Sequence, residues 1–366
     1  MACTSLSVRE HETSDRDLGA PLQRLCADRG CNDGGGTAIT CFLIALGSNV
    51  ASSDRDQKTT SALALAKQAL IARAISDISL PGSFPCPDIV THLGTNVPND
   101  GVADLFAGIN CPAYVGRLPW RTLALPDVRD SKGERLWYAL SPNFRDYASQ
   151  VTIKDTTVGT LSVSGSRSVH NVVAIVFSAG APLARQLRDG ALHQNDVANY
   201  LEGLNAQGGP AFSSQAADAN FNDQLLVITV ADLMAGIEKR VTNELNTLLN
   251  RYFIAHSVFP RPADSTDVSC LPEGDPNMCI PSTTIWSGLL PRNLTPGSGW
   301  SGIVFPPWFE KNWRTAVRYT VAPECTTLPA CSSTVFSAMT DAGIFPPSAT
   351  LVIGSVATLT VQIVAH

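Results

Sequence analysis

Residues 229–262 read TVADLMAGIEKRVTNELNTLLNRYFIAHSVFPRP, and the reading of this stretch decides the fold. From Val230 the apolar residues Leu233, Ile237, Val241, Leu245, Leu248 and Tyr252 recur at intervals of three and four, the period of a helix with one apolar face. Thr229, with Asp232 three residues on, supplies an N-terminal cap. Glu238, Lys239, Arg240, Asn243 and Asn246 fall elsewhere on the surface, along a helix about 35 Å long at ~1.5 Å per residue. Phe259-Pro260-Arg261-Pro262 then ends regular structure, because proline lacks the N–H that a helix or strand would use.

Working outward, the same order of signals occurs earlier in the chain. From Lys58 to Ser76 an amphipathic helix is predicted, with Leu63, Ala66, Leu70 and Ala74 on one stripe, Lys67 and Arg73 off it, and Pro81-Gly82 as its stop. Phe84-Pro85-Cys86-Pro87 follows and matches Phe259-Pro260-Arg261-Pro262. Gly116-Arg117-Leu118-Pro119 likewise matches Gly288-Leu289-Leu290-Pro291. The strand-like runs Glu134–Leu140 and Asn171–Phe177 correspond to Trp313–Val321 and Thr358–Val364, and Ser162–Ser168 reads as a turn between two strands. Four matches in one order point to an internal duplication. The predicted fold class is α+β: two tandem units with a core each, every unit a long helix packed on a small antiparallel sheet. Residues 1–36 read as a polar leader, 37–184 as the first unit, 185–222 as a connector and 223–366 as the second unit. The connector holds a short helix near Asn195–Leu204, with Tyr200 and Leu201 as its contacts, and the Gly208-Gly209-Pro210 break.

Charged residues make up only 16% of the 366 residues and hydrophobic ones 44%, so the chain buries cores under an uncharged polar surface and is not disordered. The 26 basic and 32 acidic residues give a net charge of −6 with no basic run, which argues against nucleic acid as a partner. The 10 cysteines lack the short spacing of a zinc site. Three sequence-local pairs, Cys86 with Cys111, Cys270 with Cys279 and Cys325 with Cys331, read as disulfides formed in an oxidising compartment. Unpaired thiols in the cytosol are the alternative reading.

After Gly34-Gly35-Gly36 comes an apolar run in which Ile39, Phe42, Leu43, Ile44 and Leu46 would form a short membrane anchor, interrupted from Ser48 onward. The helix Thr59–Ala72 and the stretches Pro81–Asp88, Gly116–Leu123 and Leu136–Phe144 together resemble bacterial type IV pilin-like proteins, prepilins and pseudopilins. Phe221–Thr229 and Asp232-Leu233-Met234 look like the second half of the same proteins. The resemblance implies two tandem pilin-like units, an inner-membrane anchor and a sheet domain facing the periplasm or cell surface. It also implies a structural subunit of a type IV pilus or type II secretion-like system, whose partners are other pilin-like subunits or secretion machinery. One departure is that Cys41 stands where a prepilin cut after Gly36 would carry its glutamate. A stand-alone extracytoplasmic binding or adhesion module, and a secreted hydrolase, are the alternative readings.

Catalytic signals are absent from the sequence. The six histidines are scattered singly, no G-x-S-x-G elbow occurs, and the glycine run lacks the Lys-Ser/Thr of a phosphate loop, so a non-enzymatic chain without an obligate cofactor is expected. The one ion-site candidate is Asp88 with Asn99, Asp100 and Asp104, oxygen-bearing residues around Gly101 that could gather on calcium. That stretch resembles the acidic calcium loops of thrombospondin type 3 repeats, with fewer aspartates. An Asx-rich turn is the plainer reading of the same residues. Trp300, in a Gly/Ser/Pro loop, is the candidate for an exposed ligand-binding aromatic.

Overall fold

In the computed structural model the residues described are 37–89, 99–147, 153, 156–166, 168–189, 193–256, 258–292, 305–321 and 350–353. Helix α1 spans Thr37–Ser76. Strands β1 (Val115–Arg117), β2 (Trp137–Leu140), β3 (Leu161–Gly165), β4 (Val169–Val172), β5 (Ala174–Ser178), β6 (Ala211–Ser214) and β7 (Gln224–Ile228) follow. Helix α2 covers Val230–His256, and β8 (Ser287–Gly288), β9 (Val317–Thr320) and β10 (Thr350–Ile353) come after it. Two compact units are distinguished, one up to Lys58 and one from Thr59 on. The sheets and α2 belong to the second. The anchor candidates Ile39, Phe42, Leu43, Ile44 and Leu46 lie in the first, and no helix among the described residues is long and apolar enough to cross a membrane.

Helix α2 forms where the apolar period placed it, and α1 contains the expected Lys58–Ser76 span but extends back to Thr37. Leu63, Ala66, Leu70 and Ala74 of α1 are buried, as are Leu233, Ile237, Val241, Leu245, Leu248 and Tyr252 of α2. The α2 cap is reciprocal: the Asp232 N–H donates to Thr229 Oγ1 at 3.2 Å, and the Thr229 N–H donates to Asp232 Oδ2 at 2.9 Å. Asp77 ends α1, its Oδ1 accepting the N–H groups of Ser79 and Leu80 while Oδ2 pairs with Arg73. The helices lie against each other. Arg240 of α2 donates to the Ile75 and Asp77 carbonyls, and Lys67 of α1 pairs with Asp232 at 3.1 Å. A side chain at Gly236 would meet Ile75 at 2.1 Å, so the small residue sets how near the helices come.

Among the described residues there are three sheets, ordered β1-β2-β5-β7, β4-β3-β6 and β10-β9-β8. The first is antiparallel throughout and buried on both faces. Tyr138, Leu140, Ala174 and Val176 join the helices in the main core. Trp137, Ala139, Ile175 and Phe177 face a second cluster with Val163, Tyr200, Leu201 and Phe212. Burial on two faces explains why β2 and β5 read as unbroken apolar runs and not as alternating ones. Part of the Ser162–Ser168 stretch expected to be a turn is strand β3, and the segment expected as Asn171–Phe177 is broken into β4 and β5, with Asn171 at φ 57°.

One set of pairings occurs twice. After each helix, a buried tyrosine hydroxyl donates to the carbonyl of the Phe-Pro proline: Tyr138 to Pro85 at 3.3 Å and Tyr319 to Pro260 at 2.8 Å. Four residues past the phenylalanine, Asp88 exchanges both backbone hydrogen bonds with Arg117, as Ala263 does with Leu289. The preceding glycine sits opposite the tyrosine in both sheets, Gly116 across from Tyr138 and Gly288 across from Tyr319. Two residues farther out, the Leu140 N–H donates to the Tyr114 carbonyl at 2.8 Å and the Val321 N–H to the Trp286 carbonyl at 3.0 Å. Both glycines are needed. A Cβ on Gly116 would lie 2.3 Å from the Ile89 side chain, and one on Gly288 would lie 2.1 Å from the Ala263 carbonyl oxygen.

Two expectations change. The strand beyond β9 is Thr350–Ile353, paired from Thr350↔Thr320 to Ile353↔Val317, whereas Thr358–Val364 lies outside the described residues. The two sets also do not have a core each: Phe84 and Tyr138 belong to the same apolar cluster as Phe259 and Tyr319, with both helices between them. The coarse class is α+β, as the sequence implied.

Replacing either tyrosine with phenylalanine strands a buried carbonyl, so Tyr138→Phe and Tyr319→Phe should each lower stability by about 1–2 kcal/mol. Urea unfolding measures this, and an effect at only one position would show that the two bonds are not equivalent in weight.

Candidate functional site

Two disulfide-closed loops stand in corresponding places, one between the Phe-Pro segment and β1, the other between its counterpart and β8. Cys86–Cys111 and Cys270–Cys279 are both formed, with Sγ–Sγ distances of 2.04 and 1.96 Å. Cys325 and Cys331 lie outside the described residues.

In the first loop Asp88, Asp100 and Asp104 each turn one carboxylate oxygen to a backbone N–H, whereas, among the described residues, the side-chain oxygen of Asn99 is buried without a hydrogen bond. Asp88 Oδ2 accepts the Gly101 N–H at 2.7 Å, Asp104 Oδ2 the Ile89 N–H at 3.2 Å and Asp100 Oδ1 the Val102 N–H at 2.8 Å. The Asn99 carbonyl accepts from Arg135 at 2.5 Å. Gly101 has φ +86°, and a Cβ there would stand 2.4 Å from the Trp120 indole, so glycine alone fits the turn. Burial, reinforced by the charges of Asp104 and Asp100, pushes Asp88 up to about 6 against the opposing Gly101 hydrogen bond. Among the described residues no three His, Cys, Asp or Glu side chains form a group that could hold a metal ion. The carboxylates act as acceptors for loop N–H groups.

The second loop is built in the same manner. Asp264, Asp267 and Asp275 each accept a backbone N–H two residues on, from Thr266, Ser269 and Asn277. Arg292 ties the loop down by donating to the Leu271 and Gly274 carbonyls at 3.0 Å and pairing with Glu310 at 3.2 Å. Both loops display apolar side chains: Leu105 is 72% exposed and Ile109 56% in the first, Val268 73% and Met278 62% in the second.

A third constellation had no counterpart in the sequence reading. Glu202 and Asp223 are buried, and each carboxylate accepts the other residue's backbone N–H. Burial and the neighbouring Glu202 charge push Asp223 far above the usual carboxylate range, to about 8. Nearby, Arg117 is held between the Trp137 and Tyr200 rings at 4.2 and 4.0 Å, and burial pulls its pKa down to about 10. No sequence motif signals Glu202 and Asp223, because the two acids are distant in the chain and neither lies in an apolar period.

A cavity of about 270 Å³ opens between the β4 edge and the start of α2, lined by Thr157, His170, Asn171 and the first turn of the helix. His170 is its one titratable lining residue. Elsewhere His193 contacts Asp189 at 3.1 Å on the surface and His256 packs on the Tyr252 ring. Trp137, Trp308 and Trp313 are core residues, and Trp286 is half-buried beneath Arg261 at 4.0 Å. Trp300 lies outside the described residues. No protein family model, curated protein or solved structure matches the chain.

Removing Cys86–Cys111, which closes a 25-residue separation, should cost about 3 kcal/mol, and removing Cys270–Cys279, which closes 9, somewhat less. Chemical denaturation of the two double Cys→Ala variants gives that order. Asp88 supplies a second outcome. Its carboxyl holds a proton more tightly folded than unfolded, so its contribution to stability is full below the ordinary carboxylate pKa of about 4 and is lost as pH rises through about 6. Asp88→Asn keeps an acceptor for Gly101 and removes the buried charge. The variant should therefore gain on the native chain between about pH 4 and about pH 7 in urea midpoints; parallel pH profiles would show that Asp88 is not buried as described.

Proposed function

We propose that this chain is a non-catalytic structural subunit of the pilin-like or pseudopilin-like kind, built of two tandem units and acting outside the cytoplasm in assembly or surface recognition. Its partners are other pilin-like subunits or secretion machinery, and residues 38–50 tether it to the inner membrane. The observation that carries this reading is the pair of disulfide-closed loops, placed alike after two helix and Phe-Pro segments. In the described part of each, carboxylates and a disulfide tie the backbone down while large apolar side chains face solvent. Rigid exposed apolar surface is what an assembling protein offers, since ordering a loop in advance removes part of the entropy lost on association. The pilin-like resemblance supports the same assignment, as does a chain in which a long helix precedes an antiparallel sheet.

The test is to replace Leu105 and Val268, both highly exposed, with glutamate in the full chain. Fractionation and cross-linking should show the native chain with membranes and in oligomers, and the double variant should lose the oligomers while its melting temperature stays unchanged. A native chain that remains monomeric and free of membranes would instead support a stand-alone binding module and overturn the proposal.

A further inference from the structure

Between the neighbouring strands β5 and β7 the chain makes a long detour, and residues 196–223 of it form a strap over the face of the first sheet that the helices leave uncovered. Tyr200, Leu201 and Phe212 of the strap pack on Trp137, Ile175 and Phe177. The Phe177 and Phe212 ring centroids are 5.1 Å apart, and those of Trp137 and Tyr200 5.4 Å. Near its two ends the strap is closed on itself by acids. The Glu202 N–H donates to Asp223 Oδ2 at 2.9 Å and the Asp223 N–H to Glu202 Oε2 at 3.1 Å. Asn205 Nδ2 donates to Asp223 Oδ2 at 2.9 Å, Gln186 Nε2 to Glu202 Oε1 at 2.6 Å and the Asn222 N–H to Glu202 Oε2 at 3.0 Å.

What the pair lacks is a cation. Among the described residues neither carboxyl has an ion-pair partner, and Asp223 Oδ1 is buried without a hydrogen bond. The charged groups around the pair are engaged elsewhere. Arg188 donates to Gln186 Oε1 at 2.7 Å and pairs with Glu134 at 3.4 Å, and Arg117 stacks on Tyr200. Two carboxylates buried together with no cation cannot both carry charge without a large desolvation and repulsion cost, and one proton between them removes most of it. We infer that the buried pair Glu202 and Asp223 holds one proton, which keeps the strap 196–223 closed on itself, and that losing it as pH rises loosens the strap and bares Trp137 and Phe177.

The direction follows from linkage. The closed latch binds its proton more tightly than the open one, so closure is strongest at acid pH. It weakens by up to about tenfold per pH unit as pH rises from the ordinary carboxylate range towards the raised value of Asp223, about 8, and levels off above it. Hydrogen exchange on the full chain at about pH 6 and about pH 9, corrected for the intrinsic pH dependence of exchange, reads the latch directly. Protection of the Ser213 amide, bound to Asn205 Oδ1 at 2.8 Å, should fall by roughly tenfold or more, while the amides of β2 and β5 keep theirs. Asp223→Asn should abolish the pH dependence, and Glu202→Gln should do the same by removing the other charge. The inference is overturned by equal strap protection at both pH values, by loss of protection in the strap and the strands together, or by an Asp223→Asn chain that still opens with pH.

Discussion

The described architecture depends on how a Phe-Pro-x-Pro segment crosses a strand. In Phe84-Pro85-Cys86-Pro87 and in Phe259-Pro260-Arg261-Pro262 every second residue lacks an N–H, so neither segment can join a sheet as an ordinary edge strand. The proline carbonyl is left over, and a tyrosine hydroxyl from the second strand in takes it. Burial holds both phenols protonated, so each is a donor with nowhere else to donate. Regular pairing resumes at the first residue past the second proline, Asp88 or Ala263, where an N–H is again available. The glycine beneath follows from the same crossing, because a Cβ there would run into the crossing segment, into the Ile89 side chain at Gly116 and the Ala263 carbonyl at Gly288. Three constraints, proline chemistry, a buried hydroxyl and a missing Cβ, thus select one geometry, and they select it twice.

The duplicated geometry does not produce two independent bodies. Helix α2 follows β7 with only Thr229 between, and its apolar face is shared by the first sheet and the Phe259–Val321 set. Without α2, Tyr138 and Leu140 would lose a covering layer, and Phe259 and Tyr319 would lose the layer that joins them to the rest. Burying one stripe against both sets leaves no exposed apolar seam at which they could separate.

This shared core is also where the sequence stops being legible. The α2 helix was readable because period, cap and stop agree over seven turns. The repeat was readable because the Phe-Pro-x-Pro and Gly-x-x-Pro motifs recur in the same order wherever the same crossing is built. The disulfides Cys86–Cys111 and Cys270–Cys279 were readable because each closes a local loop. The sharing of one core could not be seen, since the apolar stripe of a helix names no partner. Tyr200, Leu201 and Phe212, in the segment read as a connector, are isolated apolar residues among polar ones, with no period to betray that they roof Trp137. The acids in the first loop illustrate the converse difficulty: a run of Asn, Asp and Gly looks the same whether its oxygens hold a cation or the loop's own N–H groups, and here they hold N–H groups.

The difference between the two sets explains the strap. At the position next to the buried tyrosine the first set has Trp137 and the second Arg318. Trp137 is fully buried and demands a cover, whereas Arg318 is exposed, donates to Ser287 Oγ at 2.9 Å and needs none. Trp137, with Ala139, Ile175 and Phe177, gives the first sheet its second apolar face. A second apolar face must be roofed, and the roof between β5 and β7 holds two short 3-10 turns, Val197–Asn199 and Asn205–Gln207, and strand β6. To the packing of Tyr200, Leu201 and Phe212 and the pairing of β6 with β3 it adds a polar closure, Glu202, Asp223, Asn205 and Gln186, whose hydrogen bonds are directional and whose acids respond to pH. A cover held by apolar area would respond chiefly to temperature and solvent, while one held by an unpaired buried acid pair responds to protons.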